Sequence, residues 1–281
     1  MLIKSLMAIT LATCSMHLQA YLYPFQTPVT NYLKPIAITE HDSGLPYIDC
    51  IYVINLDSRA DRWHRLQPVF EKMGISPNRV SAYVGKTITK EQKLDMFGPY
   101  PIRMPGPAIG CLLSHLSIIK DAYERGFSAV WIMEDDVEFL ENAGVISKLM
   151  EDLTEIDSEW DFLYTDTNCR NPEGGYYYTG SWEFARPDQN CPPYEVLNQR
   201  ISVGSDFEIT NMRYGLTSYI LTRSGIEKLY RYFTHVFLWV PVDVDIHYIP
   251  GIRKYGVTRD VVTNNRIDLG SDIRNSAWDN M

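Results

Sequence analysis

Three consecutive carboxylic acids, Glu134, Asp135 and Asp136, are the residues of this sequence best suited to chemistry. They follow an apolar run, residues 127–133, whose β-branched and aromatic side chains are typical of a strand buried on both faces, as in a parallel sheet. Ligands of open α/β sheets gather beyond the carboxyl ends of strands, where three acids would offer oxygen ligands to a hard divalent cation. The alternative is a solvated turn whose acids precede a helix, because the helix dipole favours negative charge there. The strand before the acids favours the functional interpretation.

A second acidic pattern, Asp243 and Asp245 followed by His247, lies near the carboxyl end. If the segment is extended, this i, i+2 spacing puts all three side chains on one face. A carboxylate there could act as a general base that takes a proton from an attacking hydroxyl, or bind a metal ion. The alternative is a strand edge with acids that face solvent.

Strands and helices alternate along the chain, which predicts an α/β fold. The predicted elements are a strand over 50–54, a helix from the capping residues 55–58 to Gly74 with a kink or a restart at Pro68, a helix between the break at 105–107 and Gly126, the strand before the acids, strands at 160–164 and 218–221, and a helix after Thr222.

Composition places the chain among ordinary globular proteins. It has 281 residues, 45% of them hydrophobic, which is enough for one large domain or a domain with an extension. The net charge of −9 argues against a nucleic-acid partner, since such a partner requires a basic surface. A phosphate-bearing ligand would require local cations or a metal ion.

The amino-terminal residues differ from the rest. Lys4, an apolar stretch over 6–12 and a cleavage-like Ala20 predict a signal peptide or membrane anchor over residues 1–20. Residues 21–47 hold four prolines and predict a linker or loosely packed extension before a main domain over 48–281. We therefore expect a secretory or membrane-associated protein, with peripheral membrane association, or one on the cytoplasmic face of the membrane in a bacterium.

Four cysteines lie beyond the leader-like segment, and their even number permits disulfides in an oxidising compartment. Cys169 and Cys191 bracket a polar, aromatic loop and form the best candidate pair. Cys111 lies in an apolar helical pattern, which predicts a packed thiol. The aromatic segment around these cysteines, residues 168–200, either carries acceptor specificity or forms a local core.

Five segments in sequence carry a family resemblance. They are IYVINLDSRADR (51–62), GPAIGCLLSH (106–115), VWIMEDDV (130–137), YGLTSYILTRSG (214–225) and PVDVD (241–245). Together they resemble glycosyltransferase family 25, the group of bacterial lipooligosaccharide galactosyltransferases and animal procollagen galactosyltransferases. The resemblance implies a single GT-A-like, Rossmann-like α/β domain, a nucleotide-sugar donor and Mn²⁺ or another divalent cation.

The resemblance also suggests roles for individual residues. The implied metal ligands are Asp136, Glu134 and His247; the implied donor-binding residues are Asn55, Arg59, Arg62, Gly110, Ser114, His115, Glu134 and Asp135; the candidate bases are Asp243 and Asp245. Structural alternatives remain for three of them. Arg62 would pair with a carboxylate such as Asp57, His115 would be a hydrogen-bonded packing residue, and Gly110 would allow close approach of two backbones.

The implied function is a metal-dependent inverting transfer of galactose from UDP-galactose to a glycan of the lipooligosaccharide type or to a hydroxylated protein side chain. A second interpretation is a catalytically silent protein that binds glycans on the same scaffold. A third is a metal-dependent phosphoester hydrolase, since acidic clusters at strand ends also serve that reaction.

Overall fold

The computed structural model describes residues 22–167, 186–187 and 193–264. Within these ranges, eight strands form one mixed sheet in the order β2-β1-β3-β8-β5-β9-β7-β6, and β4 pairs with β10 in a second, small sheet. The strands are β1 Cys50–Asn55, β2 Asn78–Ser81, β3 Ala129–Glu134, β4 Val137–Phe139, β5 Phe162–Tyr164, β6 Arg200–Val203, β7 Phe207–Thr210, β8 Ser218–Thr222, β9 Lys254–Val257 and β10 Val262–Asn264. The helices are α1 Ala60–Met73, α2 Lys90–Phe97, α3 Gly106–Arg125, α4 Val145–Ile156, α5 Tyr194–Leu197, α6 Arg223–Thr234 and α7 Val242–Asp245.

The strand before the acids, β3, lies in the middle of the large sheet. It runs parallel to β1 on one side and antiparallel to β8 on the other. The prediction of a buried strand is confirmed, but the prediction of a parallel sheet holds for only one of its two neighbours. Burial on both faces makes a strand apolar in either direction, so the apolar run carried no information on the direction of β8.

Side chains of β3 alternate between two apolar layers. Val130 and Ile132 join the core on the face that α3 and α6 cover, whereas Trp131 and Met133 join the core on the face of α1 and α4. This alternation follows from the period of two in a strand. It also determines where the acids after the strand point.

The predicted helices are present, but the first one begins at Ala60, after a 3₁₀ turn over Asp57–Arg59, and has no side-chain cap from residues 55–58. Helix α1 continues through Pro68 to Gly74, which takes the left-handed conformation at φ 68° and closes the helix. Helix α3 begins after Pro105 and ends at Gly126. The Thr222 side chain accepts a hydrogen bond from the Gly225 N–H at 3.3 Å and caps the start of α6.

The segment predicted to be a linker packs against the core where it is described, over residues 22–47. Val29 is fully buried, the Thr27 hydroxyl donates to the Val236 carbonyl at 2.9 Å, and the Tyr23 N–H donates to the His235 carbonyl at 2.8 Å. A loosely packed extension is therefore not what the structure shows.

The leader-like residues 1–20 and the candidate pair Cys169 and Cys191 lie outside the described residues. In the described part of the chain, every helix is too short or too polar to cross a membrane.

Candidate active site

The carboxyl ends of β1 and β3 lie side by side and bring Asn55 next to the acidic triplet. The Asn55 amide nitrogen donates to Asp135 Oδ2 at 2.6 Å, and Arg62 Nη1 lies 2.6 Å from Asp135 Oδ1. Arg79 Nε in turn donates to the Asn55 oxygen at 2.7 Å. These hydrogen bonds join side chains that are all buried or half-buried. Asn55, Arg62 and Asp135 therefore form one internal network.

Both carboxylate oxygens of Asp135 therefore have partners within the protein. Burial raises the pKa of its carboxyl, and the Arg62 guanidinium and the Asn55 amide oppose that rise. Arg65 fixes the turn behind it by donating to the carbonyls of Asp135 and Val137 at 3.1 and 3.0 Å. The network orients the acidic turn, and the predicted contact of these residues with a donor stays a prediction.

Glu134 points to the opposite face, toward α3, as the alternation along β3 requires. Its Oε1 lies 3.6 Å from His115 Nε2 and 3.9 Å from Cys111 Sγ. The other ring nitrogen of His115, Nδ1, lies 2.8 Å from the Tyr219 hydroxyl on β8. Glu134 and Asp135 therefore occupy different surroundings, although they are adjacent in sequence.

Two residues of α3 that were predicted to bind the donor have structural contacts. A Cβ at Gly110 would lie 2.7 Å from the Tyr83 carbonyl oxygen, so only glycine allows this approach of helix and loop. The Ser114 hydroxyl donates to the Gly110 carbonyl at 2.8 Å and accepts from the Tyr83 N–H at 2.9 Å. Both residues hold the loop before α2 against α3.

Asp243 lies in the first turn of α7 and is partly exposed. Its Oδ2 accepts the Gly215 N–H at 2.8 Å, and Gly215 presents that N–H from a turn at φ 88°, which favours glycine. The pKa of the Asp243 carboxyl is raised, first by burial and then by the charge of Glu134, while the Gly215 N–H opposes the rise. Asp243 is thus tied to the segment just before β8, the same segment whose Thr217 carbonyl accepts the Glu134 N–H at 2.9 Å.

The expectation that Asp243, Asp245 and His247 share one face of an extended segment is wrong. Residues 242–245 form a helical turn, and a 3₁₀ turn follows over Ile246–Tyr248. Asp245 is fully buried, where it pairs with Arg186 through both carboxylate oxygens and accepts the Tyr232 hydroxyl at 3.1 Å. Such a carboxylate is enclosed and cannot reach an acceptor, so its predicted role as a base does not fit.

His247 is also buried, and its predicted role as a metal ligand does not fit either. Its Nε2 accepts the Arg213 N–H at 3.1 Å, and burial together with the Lys254 charge holds its pKa well below the ordinary value. Among the described residues, the group of three ligand-type side chains with atoms within 4.8 Å is Cys111, His115 and Glu134. Glu134, Asp136 and His247 do not form such a group.

Arg59 and Arg62, which were predicted to bind the donor, each form an ion pair with an aspartate. Arg59 lies at the start of α1 with its Nε 3.3 Å from Asp61 Oδ1, an exposed pair. Arg62 pairs with Asp135, whereas Asp57, its suggested partner, pairs with Arg79 at 2.7 Å. The structural alternative considered for Arg62 is therefore correct in kind, with a different carboxylate.

Sequence reasoning missed two contributors to this edge of the sheet. The apolar pattern predicts a packed thiol at Cys111, but the i, i+4 spacing of Cys111 and His115 also indicates that both lie on one helix face. Tyr219 was quoted only as part of a motif, and nothing in the sequence pairs its hydroxyl with a histidine 104 positions earlier.

Comparisons with known proteins agree on one family. The family described as "Glycosyltransferase family 25 (LPS biosynthesis protein)" matches residues 48–246. Human "Inactive glycosyltransferase 25 family member 3" is 33% identical over 135 residues, 44% of this chain and 23% of that protein. Human "Procollagen galactosyltransferase 2" is 25% identical over 228 residues, 76% of this chain and 33% of that protein. The chain thus spans a third or less of the length of these relatives. The crystal structure of A197 from STIV covers 76% of the chain at 13% identity, with a TM-score of 0.36.

Proposed function

Because this chain belongs to glycosyltransferase family 25, we propose that it transfers a hexose, galactose from UDP-galactose, to a hydroxyl group of a glycan or of a hydroxylated protein, with inversion at the anomeric carbon. The described residues form a mixed α/β domain with helices on both faces of the sheet, and a GT-A-like arrangement is the finer proposal that accompanies this reaction. The sugar is proposed because relatives that match this chain are named procollagen galactosyltransferases.

The observation that carries the proposal is the position of Asp243, which accepts the Gly215 N–H just before β8 while Glu134 at the end of β3 donates its N–H to Thr217 of the same segment. Transfer with inversion requires a base that takes the proton from the acceptor hydroxyl as that oxygen attacks the anomeric carbon. Asp243 is partly exposed and has a raised pKa, and a carboxylate with a raised pKa is the stronger proton acceptor while it is ionised. Asp243 is therefore the base of our proposal.

The leaving nucleoside diphosphate carries charge that must be stabilised. Mn²⁺ prefers oxygen ligands, and small hard cations are often held by one or two carboxylates together with substrate phosphates. Asp135 is paired with Arg62 and Glu134 faces Cys111 and His115, so Asp136 is the carboxylate of the triplet that would hold the ion. When bound, the ion would neutralise the diphosphate; the protein keeps the acidic turn in place through Asn55, Arg62 and Asp135.

The test is transfer by the full chain with a panel of nucleotide sugars, Mn²⁺, and glycan or hydroxylysine-containing peptide acceptors. We expect Asp243→Asn to lower kcat by about 10²–10⁴-fold with little change in the KM for the donor, because the amide cannot accept the proton. Asp152→Asn, at a partly exposed acid of α4 in an i, i+4 pair, is the matched control and should keep the parent rate. Equal rates for Asp243→Asn and the parent would contradict the assignment.

A second candidate is a silent protein that binds glycans or donor without turnover. It is favoured by one finding, that a relative matching 44% of this chain is named an inactive family member. The same assay distinguishes the two candidates. Saturable binding of a nucleotide sugar without release of nucleotide, under every acceptor condition, would establish the silent protein.

A further inference from the structure

A compact group of three metal-ligand side chains lies under the carboxyl end of β3. Cys111 and His115 are four residues apart on α3, and helical geometry places both on one face. Glu134, the last residue of β3, faces them with Oε1 at 3.9 Å from the thiol sulfur and 3.6 Å from His115 Nε2. One ligand atom from each residue lies within 4.8 Å of the other two.

These separations match a tetrahedral ion. Zn–S bonds of about 2.3 Å and Zn–N and Zn–O bonds of about 2.0–2.1 Å place ligand atoms roughly 3.3–3.6 Å apart. The measured separations to Glu134 Oε1, 3.6 and 3.9 Å, require a contraction of only a few tenths of an ångström by a side chain that is partly exposed.

The histidine gives an independent indication. His115 is fully buried, and its Nε2 has no hydrogen-bond partner among the described residues although it points at Glu134. A buried ring nitrogen without a partner is costly unless something else satisfies it. The other nitrogen, Nδ1, contacts the Tyr219 hydroxyl at 2.8 Å, which is the outer contact that metal-binding histidines usually have. With Nδ1 as the donor to Tyr219, the Nε2 lone pair faces the group.

We propose that Cys111, His115 and Glu134 bind a Zn²⁺ ion, with the fourth position open to water or a ligand. Cys111 and Glu134 are partly exposed, so the ion can enter from solvent. Thiolate and imidazole ligands select Zn²⁺ over Mn²⁺, which prefers oxygen. The site is thus chemically distinct from a carboxylate and diphosphate site for a hard cation, and it goes beyond the transfer reaction proposed above.

The test uses the full chain, stripped with a chelator and titrated with Co²⁺ and then Zn²⁺. We expect one Co²⁺ per chain, a thiolate-to-cobalt charge-transfer band in the near ultraviolet, and displacement by Zn²⁺. Cys111→Ser should lose the band and weaken Zn²⁺ binding by more than the roughly 10–100-fold loss typical of outer-contact substitutions. Glu134→Gln should weaken binding but keep the band, because the thiolate remains.

Matched thiol controls separate this site from other cysteines. Cys50→Ser should retain the band, since Cys50 is not part of the group. The double variant Cys169→Ser/Cys191→Ser should retain it as well, because the proposal assigns the thiolate ligand to Cys111. Circular dichroism of each metal-free variant checks that it has folded, and Glu134→Gln decides the matter if Cys111→Ser does not fold. Failure of the folded parent chain to take up Co²⁺ or Zn²⁺, a band retained by Cys111→Ser, or unchanged affinity in Glu134→Gln would overturn the proposal. None of these readouts depends on sugar transfer.

Discussion

Removal of the Arg62 guanidinium should expose the cost of the buried carboxylate at Asp135. Both side chains are nearly inaccessible, and their atoms are 2.6 Å apart. Loss of one partner of a buried ion pair leaves a charge without compensation and costs about 3–5 kcal/mol, a large share of the roughly 5–15 kcal/mol that stabilises most domains. Arg62→Met should therefore lower the free energy of unfolding by about this amount, less whatever the remaining Asn55 contact offsets.

The pH dependence of that loss identifies its cause. Burial already raises the pKa of Asp135, and Arg62→Met removes the main opposing charge, so the folded pKa must rise further above the unfolded value. The destabilisation is then fully present above the folded pKa and fades as the pH falls toward the unfolded pKa, because the carboxyl is protonated in both states. Chemical denaturation followed by circular dichroism between pH 4 and 8 would measure this trend.

Two comparisons complete the test. The double variant Arg62→Met/Asp135→Asn should recover most of the lost stability, since it leaves no uncompensated charge at position 135. Lys148→Met also removes one partner of an ion pair, the i, i+4 pair with Asp152, but this lysine is exposed. The Lys148→Met variant should therefore have the same free energy of unfolding as the parent. A deficit that is independent of pH, or a double variant no more stable than Arg62→Met, would refute the reasoning.

Three further predictions concern the same edge of the sheet. Glu134→Gln should move the acidic limb of the pH–rate profile to lower pH, because loss of the Glu134 charge lowers the raised pKa of Asp243; steady-state rates across pH measure it, and an unmoved limb would contradict it. Gly110→Ala should destabilise the fold by about 1–3 kcal/mol in a denaturant titration, since its Cβ would lie 2.7 Å from the Tyr83 carbonyl oxygen. Asp245→Asn should lower the melting temperature because it leaves its buried arginine partner uncompensated, and a melting curve like the parent's would show that the pair is dispensable.

Local patterns predicted the elements around the site well. Strand β3 and helix α3 have long, consistent apolar patterns bounded by clear stop signals, and both match the predicted positions. Prediction from the apolar pattern failed for the short segment near the carboxyl end. Residues 242–245 alternate apolar and acidic side chains, which favours a strand, but Pro241 before them is typical of a helix start and its signal was not used.

Contacts between distant segments could not be predicted. The partner of Arg62 was sought at Asp57 nearby in sequence, whereas the fold supplies Asp135, 73 positions away. Asp245 is likewise paired with Arg186, 59 positions earlier, through an arrangement that only the packed fold creates. Short spacing rules describe neighbours on one element, whereas ion pairs between elements depend on sheet order and strand direction.

The position of β8 between β3 and β5 has a consequence for the order in which the chain folds. Strands β3 and β5 are separated in the sheet by a strand that is synthesised after both of them. Until residues 218–222 enter, the two parts of the sheet cannot join, and the Glu134 N–H lacks the Thr217 carbonyl that it meets at 2.9 Å. Pairings of such sequence separation form late and slowly, so the acidic turn acquires its final geometry near the end of folding. A nascent chain that stops short of β8 would present β3 as an open, apolar strand edge, which is the kind of surface that invites aggregation and chaperone binding.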